Sequence, residues 1–404
     1  MTFRTPRGAR RETLSLPESI ARSTTYISAF DSTSLTEQRI GLFSMAASSA
    51  LRAQLQACDA TDPYLHANWR EVVSVTNNEA NDATLTKTYE IDVAETTFLP
   101  LTGPIRLYAN NPAIPYVGGY TEPGSTPLWA SAGHSMEFWT DAAKIQFRYP
   151  AGSRHQARVC VNDRFVADAP TSTSGSPTIT ITFPSAGVAR KVRVDAGVNA
   201  SMGRYAYVAA NDTIWKPSKK LCFGLLGDSV SQCADATLDS DGYANALTKM
   251  LCMRGYIAGK SGTGYLNKNG GAWANYRERI AADFTGLPLS LIVVQGSTND
   301  SSYLGGAITG EALLLYSRLR ALYPVTPILV TSTPGSFQDS NITKVNASLK
   351  AAFDAWGDAN SRWFSYLDTI TAAARYNAGI THPTTAGHIY MAALLKNAIR
   401  EWLG

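Results

Sequence analysis

The sequence predicts a doubly wound, three-layer α/β domain, preceded by an all-β sandwich or jelly roll and an N-terminal helical segment. Three observations predict it. From about residue 218 to the C-terminus, continuous apolar strands alternate with amphipathic helices, as in a parallel sheet covered on both faces. Residues 61–200 hold short β-branched and aromatic runs separated by Gly/Pro/Asn/Ser turns. Residues 35–55 carry apolar side chains at helical spacing.

Composition bounds the rest. A chain of 404 residues is long enough for two or three domains. Apolar residues make up 45% and charged residues 17%, which excludes a disordered or collagen-like chain. No run reaches the roughly 18 apolar residues a membrane-spanning helix needs. The net charge of +4, with no dense Lys/Arg stripe, gives no footprint for nucleic acid. Neither a nucleic-acid nor a membrane partner is expected.

Residues 1–60 form an arm and helical segment. Arg4, Arg7, Arg10 and Arg11 are not followed by an apolar stretch, so this is not a secretory signal peptide, and Glu12 and Glu18 argue against a transit peptide. Ile40, Leu42, Phe43, Met45, Leu51 and Leu55 give one apolar helix face, to pack on the body or against copies of the chain.

In the β region, strands are expected at 71–76, 86–93, 105–108, 135–140, 143–149, 157–161, 178–183 and 190–194. Lys144 to Tyr149 alternates polar and apolar, as a half-buried strand does. Val161-Asn162-Asp163-Arg164 reads as a hairpin turn. Trp129, Trp139 and Tyr149 read as core, with sugar stacking the alternative. Residues 198–217 read as a bridge to the domain at 218–404.

In that domain, strands are expected at 220–226, 289–295, 327–332 and 363–367, and helices at 243–253, 311–322, 342–356 and 387–402. The five cysteines have long, irregular spacings and no CxxC pair, which speaks against zinc. Cys222 and Cys252 read as small buried hydrophobes, while a Cys233–Cys252 or Cys233–Cys222 bridge stays open.

Chemistry belongs at the carboxyl ends of the strands in such a fold. Three clusters stand there. Gly227-Asp228-Ser229 follows the first strand and places a serine as nucleophile or, more plainly, as a helix cap. Ser297-Thr298-Asn299-Asp300 follows the second, where an Asn amide donates to an oxyanion or closes a turn. Thr381-His382-Pro383 precedes the last helix and offers a general base; His388, inside the helix start, reads as structural.

Together, in this order, these pieces resemble the SGNH (GDSL-like) hydrolase family over roughly 218–404. Gly227-Asp228-Ser229 is similar to its nucleophile block, Ser261-Gly262-Thr263-Gly264-Tyr265 to its glycine block, Asn299 to its asparagine block and His382-Pro383 to its histidine block. The resemblance implies a flavodoxin-like three-layer sheet. It also implies a serine esterase without metal or cofactor, with Ser229 and His382 catalytic. Its oxyanion hole would be made by the Ser229 and Gly262 N–H groups and the Asn299 side chain. The Gly-x-Ser-x-Gly elbow of α/β-hydrolases is absent.

Three positions depart from the family. Gly379 stands where an Asp three residues before the histidine is usual, so His382 works as a dyad or takes an acid from elsewhere, with Asp368 the first candidate. Asp228 and Asp300 are further supporting carboxylates. Ser297 and Ser261 stand where Gly is common, and are expected to narrow the pocket or reposition the hole.

A β-sandwich ahead of such a domain, with the acid missing, resembles carbohydrate esterase family 2, which implies removal of acetyl groups from a polysaccharide or oligosaccharide. The N-terminal helical segment, β domain and terminal esterase also resemble phage tail proteins acting on capsules. That implies an extracellular or virion-associated setting and assembly, as a trimer if tail-associated. Two alternatives stand beside it. One is a lysophospholipase or thioesterase on the same fold. The other is a non-catalytic carbohydrate-binding protein whose hydrolase domain has decayed.

Overall fold

The structure, a computed structural model, describes residues 49–65, 73–77, 79–90, 106–109, 134–148, 155–172, 178–196, 205–218, 220–334, 340–366 and 382–404. Asp368, Gly379, Trp129 and Tyr149, and the helical periodicity before residue 49, lie outside them. Helix α1 (49–61) is followed by strands β1 (Ser74–Asn77), β2 (Lys87–Glu90), β3 (Arg106–Ala109), β4 (His134–Thr140), β5 (Lys144–Arg148), β6 (His155–Val161), β7 (Arg164–Ser172), β8 (Thr178–Thr182), β9 (Arg190–Ala196), β10 (Tyr205–Val208) and β11 (Ile214–Trp215).

These strands build two antiparallel sheets, in the orders β1-β8-β5-β10-β2 and β11-β4-β9-β6-β7, with β3 on β4. Alternate residues of both sheets share one core: Ile145, Phe147, Ile179, Ile181, Ala206 and Val208 face Met136, Phe138, Val159, Val161, Val192 and Val194. The expected hairpin is present. Asn162 and Asp163 have φ of 49° and 59°, the paired left-handed residues of a type I′ turn, and Val161 pairs with Arg164.

Two expectations need correction here. Residues 205–208 and 214–215 are not merely a bridge: they are strands, and β10 lies inside a sheet, between β5 and β2. The other is a strand not expected at all: β7 carries Pro170, a residue tolerated because β7 is the last strand of its sheet. Trp139 is half-buried and stacks on Trp215 at 6.3 Å rather than entering the core.

The C-terminal part is a parallel sheet of β12 (Cys222–Gly227), β13 (Arg254–Gly259), β14 (Leu289–Val294), β15 (Ile328–Thr331) and β16 (Ser361–Phe364). Its order, β13-β12-β14-β15-β16, is 2-1-3-4-5 in chain order, so the winding reverses at β12. The helices are α2 (Tyr243–Met250), α3 (Tyr276–Phe284), α4 (Gly305–Leu322), α5 (Ser340–Trp356) and α6 (Thr385–Leu403). Strands β12, β14 and β15 are apolar almost throughout because both faces are covered. Phe223, Leu225, Ile257, Leu291, Val293 and Leu329 pack under α1, α2 and α6. The intervening Leu226, Tyr256, Ala258, Ile292, Val294, Ile328 and Val330 pack under α3, α4 and α5.

Sequence reading missed β13 and α3. Arg254–Gly259 has only three apolar residues between glycines. Helix α3 did carry a signal, the capping box of Asn275 and Glu278. All five cysteines are unbridged, so neither bridge considered for Cys233 forms, and Cys252 lies in the turn after α2 with φ of 50° rather than in the helix. The described helix α1 packs on the body: Leu51, Leu55 and Cys58 are buried, and Lys396 of α6 reaches Asp62 at 2.5 Å.

Candidate active site

The winding reverses at β12, between the carboxyl ends of three adjacent strands. Ser229 follows β12, Gly262 follows β13 and Asn299 follows β14, so neighbouring strand ends carry the three sequence blocks. Arg279 of α3 fastens the nucleophile strand. Its guanidinium donates to the carbonyls of Gly227 (2.7 Å) and Ala258 (2.8 Å) and is neutralised by Asp283 at 2.5 Å. Gly227 has no room for a side chain, since a Cβ there would lie 1.8 Å from Ser231 Oγ.

Ser229 is 8% exposed and its Oγ lies 2.8 Å from His382 Nε2. Across 153 residues of chain, the structure thus joins the two groups singled out in the sequence. The backbone N–H groups of Ser229 and Gly262 make no hydrogen bond among the described residues, which leaves both donors open. Gly262 sits at φ of 74°, with Asn269 2.6 Å from where its Cβ would be, so only glycine fits this turn.

The Asn299 side chain is tethered: Nδ2 donates to the Thr263 carbonyl at 2.9 Å, which spends one amide proton and leaves the second. Ser297, expected to narrow the pocket or reposition the hole, is a buried cross-link. Its hydroxyl lies 3.0 Å from Asp228 Oδ2 and 2.9 Å from the Thr263 carbonyl, and accepts from the Asn299 N–H at 3.2 Å. The other departure, Ser261, is exposed, and its N–H donates to Gln232 Oε1 at 2.9 Å.

The two neighbouring carboxylates brace loops rather than the histidine. Asp228 accepts from Val230 N–H (3.0 Å), Gln295 Nε2 (2.7 Å) and Ser297. Burial pushes its carboxyl above the ordinary value, against the pull of those donors. Asp300 accepts from the N–H groups of Tyr265 (2.7 Å), Leu266 (3.0 Å) and Asn267 (2.9 Å), holding the loop after Gly262. Burial raises its pKa too, with these amides opposing. The residue beside His382 Nδ1 is one that sequence reading missed: Asp235 Oδ2 lies 3.3 Å away.

His388 is structural, as expected. It is fully buried, accepts from Tyr243 N–H at Nδ1 (3.1 Å) and donates from Nε2 to the Ala234 carbonyl (2.9 Å). Burial lowers its pKa from 6.5 to about 4. The folded state therefore binds fewer protons than the unfolded chain between those values, and stability is lost as pH falls through that window. The loss amounts to about 3 kcal/mol at full protonation. Thermal unfolding from pH 7 to 4 should show a slope that flattens in His388→Gln; equal slopes would contradict this.

No protein-family model matches the chain, and no curated protein matches it by sequence. Solved structures do match. A family two carbohydrate esterase from Clostridium thermocellum, solved with cellohexaose, is 17% identical with a TM-score of 0.53, covering 68% of this chain and 93% of that one. A protein described as a GDSL-like lipase from Bacteroides ovatus is 16% identical with a TM-score of 0.56, covering 78% and 98%. An acetyl xylan esterase from Butyrivibrio proteoclasticus is 13% identical with a TM-score of 0.51, covering 74% and 96%. At these identities the common property is the fold, which this chain shares with carbohydrate esterases and with a GDSL-like lipase.

Proposed function

We propose that the protein is a serine esterase that removes O-acetyl groups from a polysaccharide. The observation that carries this reading is the 2.8 Å approach of Ser229 Oγ to His382 Nε2 beside two uncommitted backbone donors. His382 Nε2 takes the Ser229 proton as Oγ bonds to the ester carbonyl carbon. The oxyanion forms among the N–H groups of Ser229 and Gly262 and the second amide proton of Asn299. The imidazolium returns its proton to the leaving alcohol as the C–O bond breaks. Water then repeats the sequence on the acetyl-enzyme, releasing acetate.

Support for a sugar ester comes from the fold neighbours, which include carbohydrate esterases, and from Trp273. This side chain is 47% exposed on the loop that folds back against Gly262. Lys260, at the end of β13, sets its ammonium 4.6 Å from the ring centre. An exposed ring on the loop packed against Gly262 offers a stacking platform to a pyranose.

The test is a p-nitrophenyl series, acetate through octanoate, beside an acetylated polysaccharide such as acetylxylan. Acetate should turn over fastest. Trp273→Ala should raise KM on the polysaccharide about tenfold, an effect on the order of 1.4 kcal/mol, with p-nitrophenyl acetate unaffected. A preference for octanoate would replace this reading with a lipid esterase.

A further inference from the structure

The usual acid position before His382 holds Gly379, yet the ring is not left unsupported. We propose that Asp235, carried on the nucleophile's own loop, is the positioning acid of His382; this rests on the esterase reading above. The ring lies between Ser229 Oγ at Nε2 (2.8 Å) and Asp235 Oδ2 at Nδ1 (3.3 Å). A base for Ser229 must carry its proton on Nδ1, so that Nε2 accepts. A carboxylate can only accept, and so selects that tautomer and faces the positive charge when the imidazolium forms. The transferred proton passes only between Ser229, His382 and the leaving group.

The backbone is built to hold this carboxylate in place. Cys233 and Asp235 sit at φ of 68° and 66°, a left-handed conformation that Asp tolerates better than most residues. The turn closes through Ala234 N–H to the Ser229 carbonyl (3.1 Å). Gly242 lets the turn approach, since a Cβ there would lie 2.1 Å from Cys233 Sγ. Two residues of α6 grip the same turn. His388 donates to the Ala234 carbonyl at 2.9 Å, and Thr385 Oγ1 accepts from Thr237 N–H at 2.8 Å. Because α6 begins just after His382, acid and base take their positions from one helix. His388, inert as a base, acts here as a strut.

The Asp235 side chain is 41% exposed, so its field is screened and its effect is smaller than that of a buried triad acid. Two variants that tolerate the left-handed backbone test the role. Asp235→Gly removes the carboxylate and should lower kcat on p-nitrophenyl acetate roughly 10- to 10²-fold with KM unchanged. Asp235→Asn keeps size and backbone preference, yet its amide donates to Nδ1 and favours the wrong tautomer. Its kcat should fall at least as far as that of the Gly variant, although it is the milder change for the fold.

Nitrogen NMR of labelled histidine should place the neutral His382 proton on Nδ1 in the wild type and on Nε2 in Asp235→Asn, a shift that a purely structural role would not produce. Asp235 is not the positioning acid if both variants keep kcat within about twofold of wild type while Ser229→Ala is inactive. A normal Asn variant beside an impaired Gly variant would equally overturn the role. Turnover surviving Ser229→Ala would instead overturn the esterase reading, leaving the tautomer measurement to decide the role of Asp235.

Discussion

Ser229→Ala should lower kcat on p-nitrophenyl acetate by about 10⁴-fold or more, and His382→Ala should cost nearly as much, because in the proposed reaction the two act as one unit. The double variant should therefore be little worse than either single one. Folding should not change. The Ser229 hydroxyl bonds His382 alone among the described residues, and His382 is a quarter exposed, so removing the ring opens that hydroxyl to water. Thermal unfolding should stay within about 0.5 kcal/mol of wild type, which separates lost chemistry from lost structure. Additive losses in the double variant would mean that Ser229 and His382 serve different steps. Full turnover in Ser229→Ala would mean another nucleophile. Binding of an acetylated glycan with no turnover even in the wild type would revive the decayed-hydrolase reading.

The parallel sheet was legible because β12, β14 and β15 are buried on both faces and so spell nearly continuous apolar runs, while the helices between carry their own periodicity. Strand β13 escaped because its glycines leave too little apolar sequence to stand out. They are required by packing that sequence does not display. A Cβ at Gly255 would lie 2.5 Å from Thr248 Cγ2, and one at Gly259 would lie 2.7 Å from Gln232 N. Strand β10 escaped for another reason. Its alternation of Tyr205, Ala206, Tyr207 and Val208 is a strand signal, but a short strand takes its meaning from neighbours distant in the chain, here β5 and β2.

The site divides along the same line. Ser229, Gly262, Asn299 and His382 were legible because each stands in a short block with its own local chemistry, and block order carries information that single residues do not. Asp235 was not legible. Its contact with His382 spans 147 residues and depends on a left-handed turn gripped by a helix from the end of the chain. The same applies to Ser297. Beside the family pattern it is a loss of glycine. In the folded chain it links Asp228, from the nucleophile block, to Thr263, from the glycine block, and it receives the Asn299 N–H. A change that from the sequence alone reads as narrowing the pocket or repositioning the hole ties three blocks together.

Asn299→Ala carries the second large effect, a fall in kcat of about 10²–10³-fold with little change in KM. The side chain is already committed before any substrate arrives. One amide proton is held by the Thr263 carbonyl at 2.9 Å, which fixes the plane of the amide and so the direction of its second proton. Such a donor needs no reorganisation when charge develops on the substrate oxygen, and that is why its loss falls on kcat. The tether also limits the structural damage. Without Asn299, the Ser297 hydroxyl, 2.9 Å from the Thr263 carbonyl, can turn its one proton from Asp228 to that carbonyl, so the stability cost should be about 1 kcal/mol. Asn299→Asp sharpens the test, since the shape is kept while both donors become acceptors. One carboxylate oxygen would face the Thr263 carbonyl and the other would face the forming oxyanion, so this variant should be slower than Asn299→Ala. If instead either variant turns over within about threefold of wild type, Asn299 is only a turn residue and the hole rests on the two backbone donors of Ser229 and Gly262.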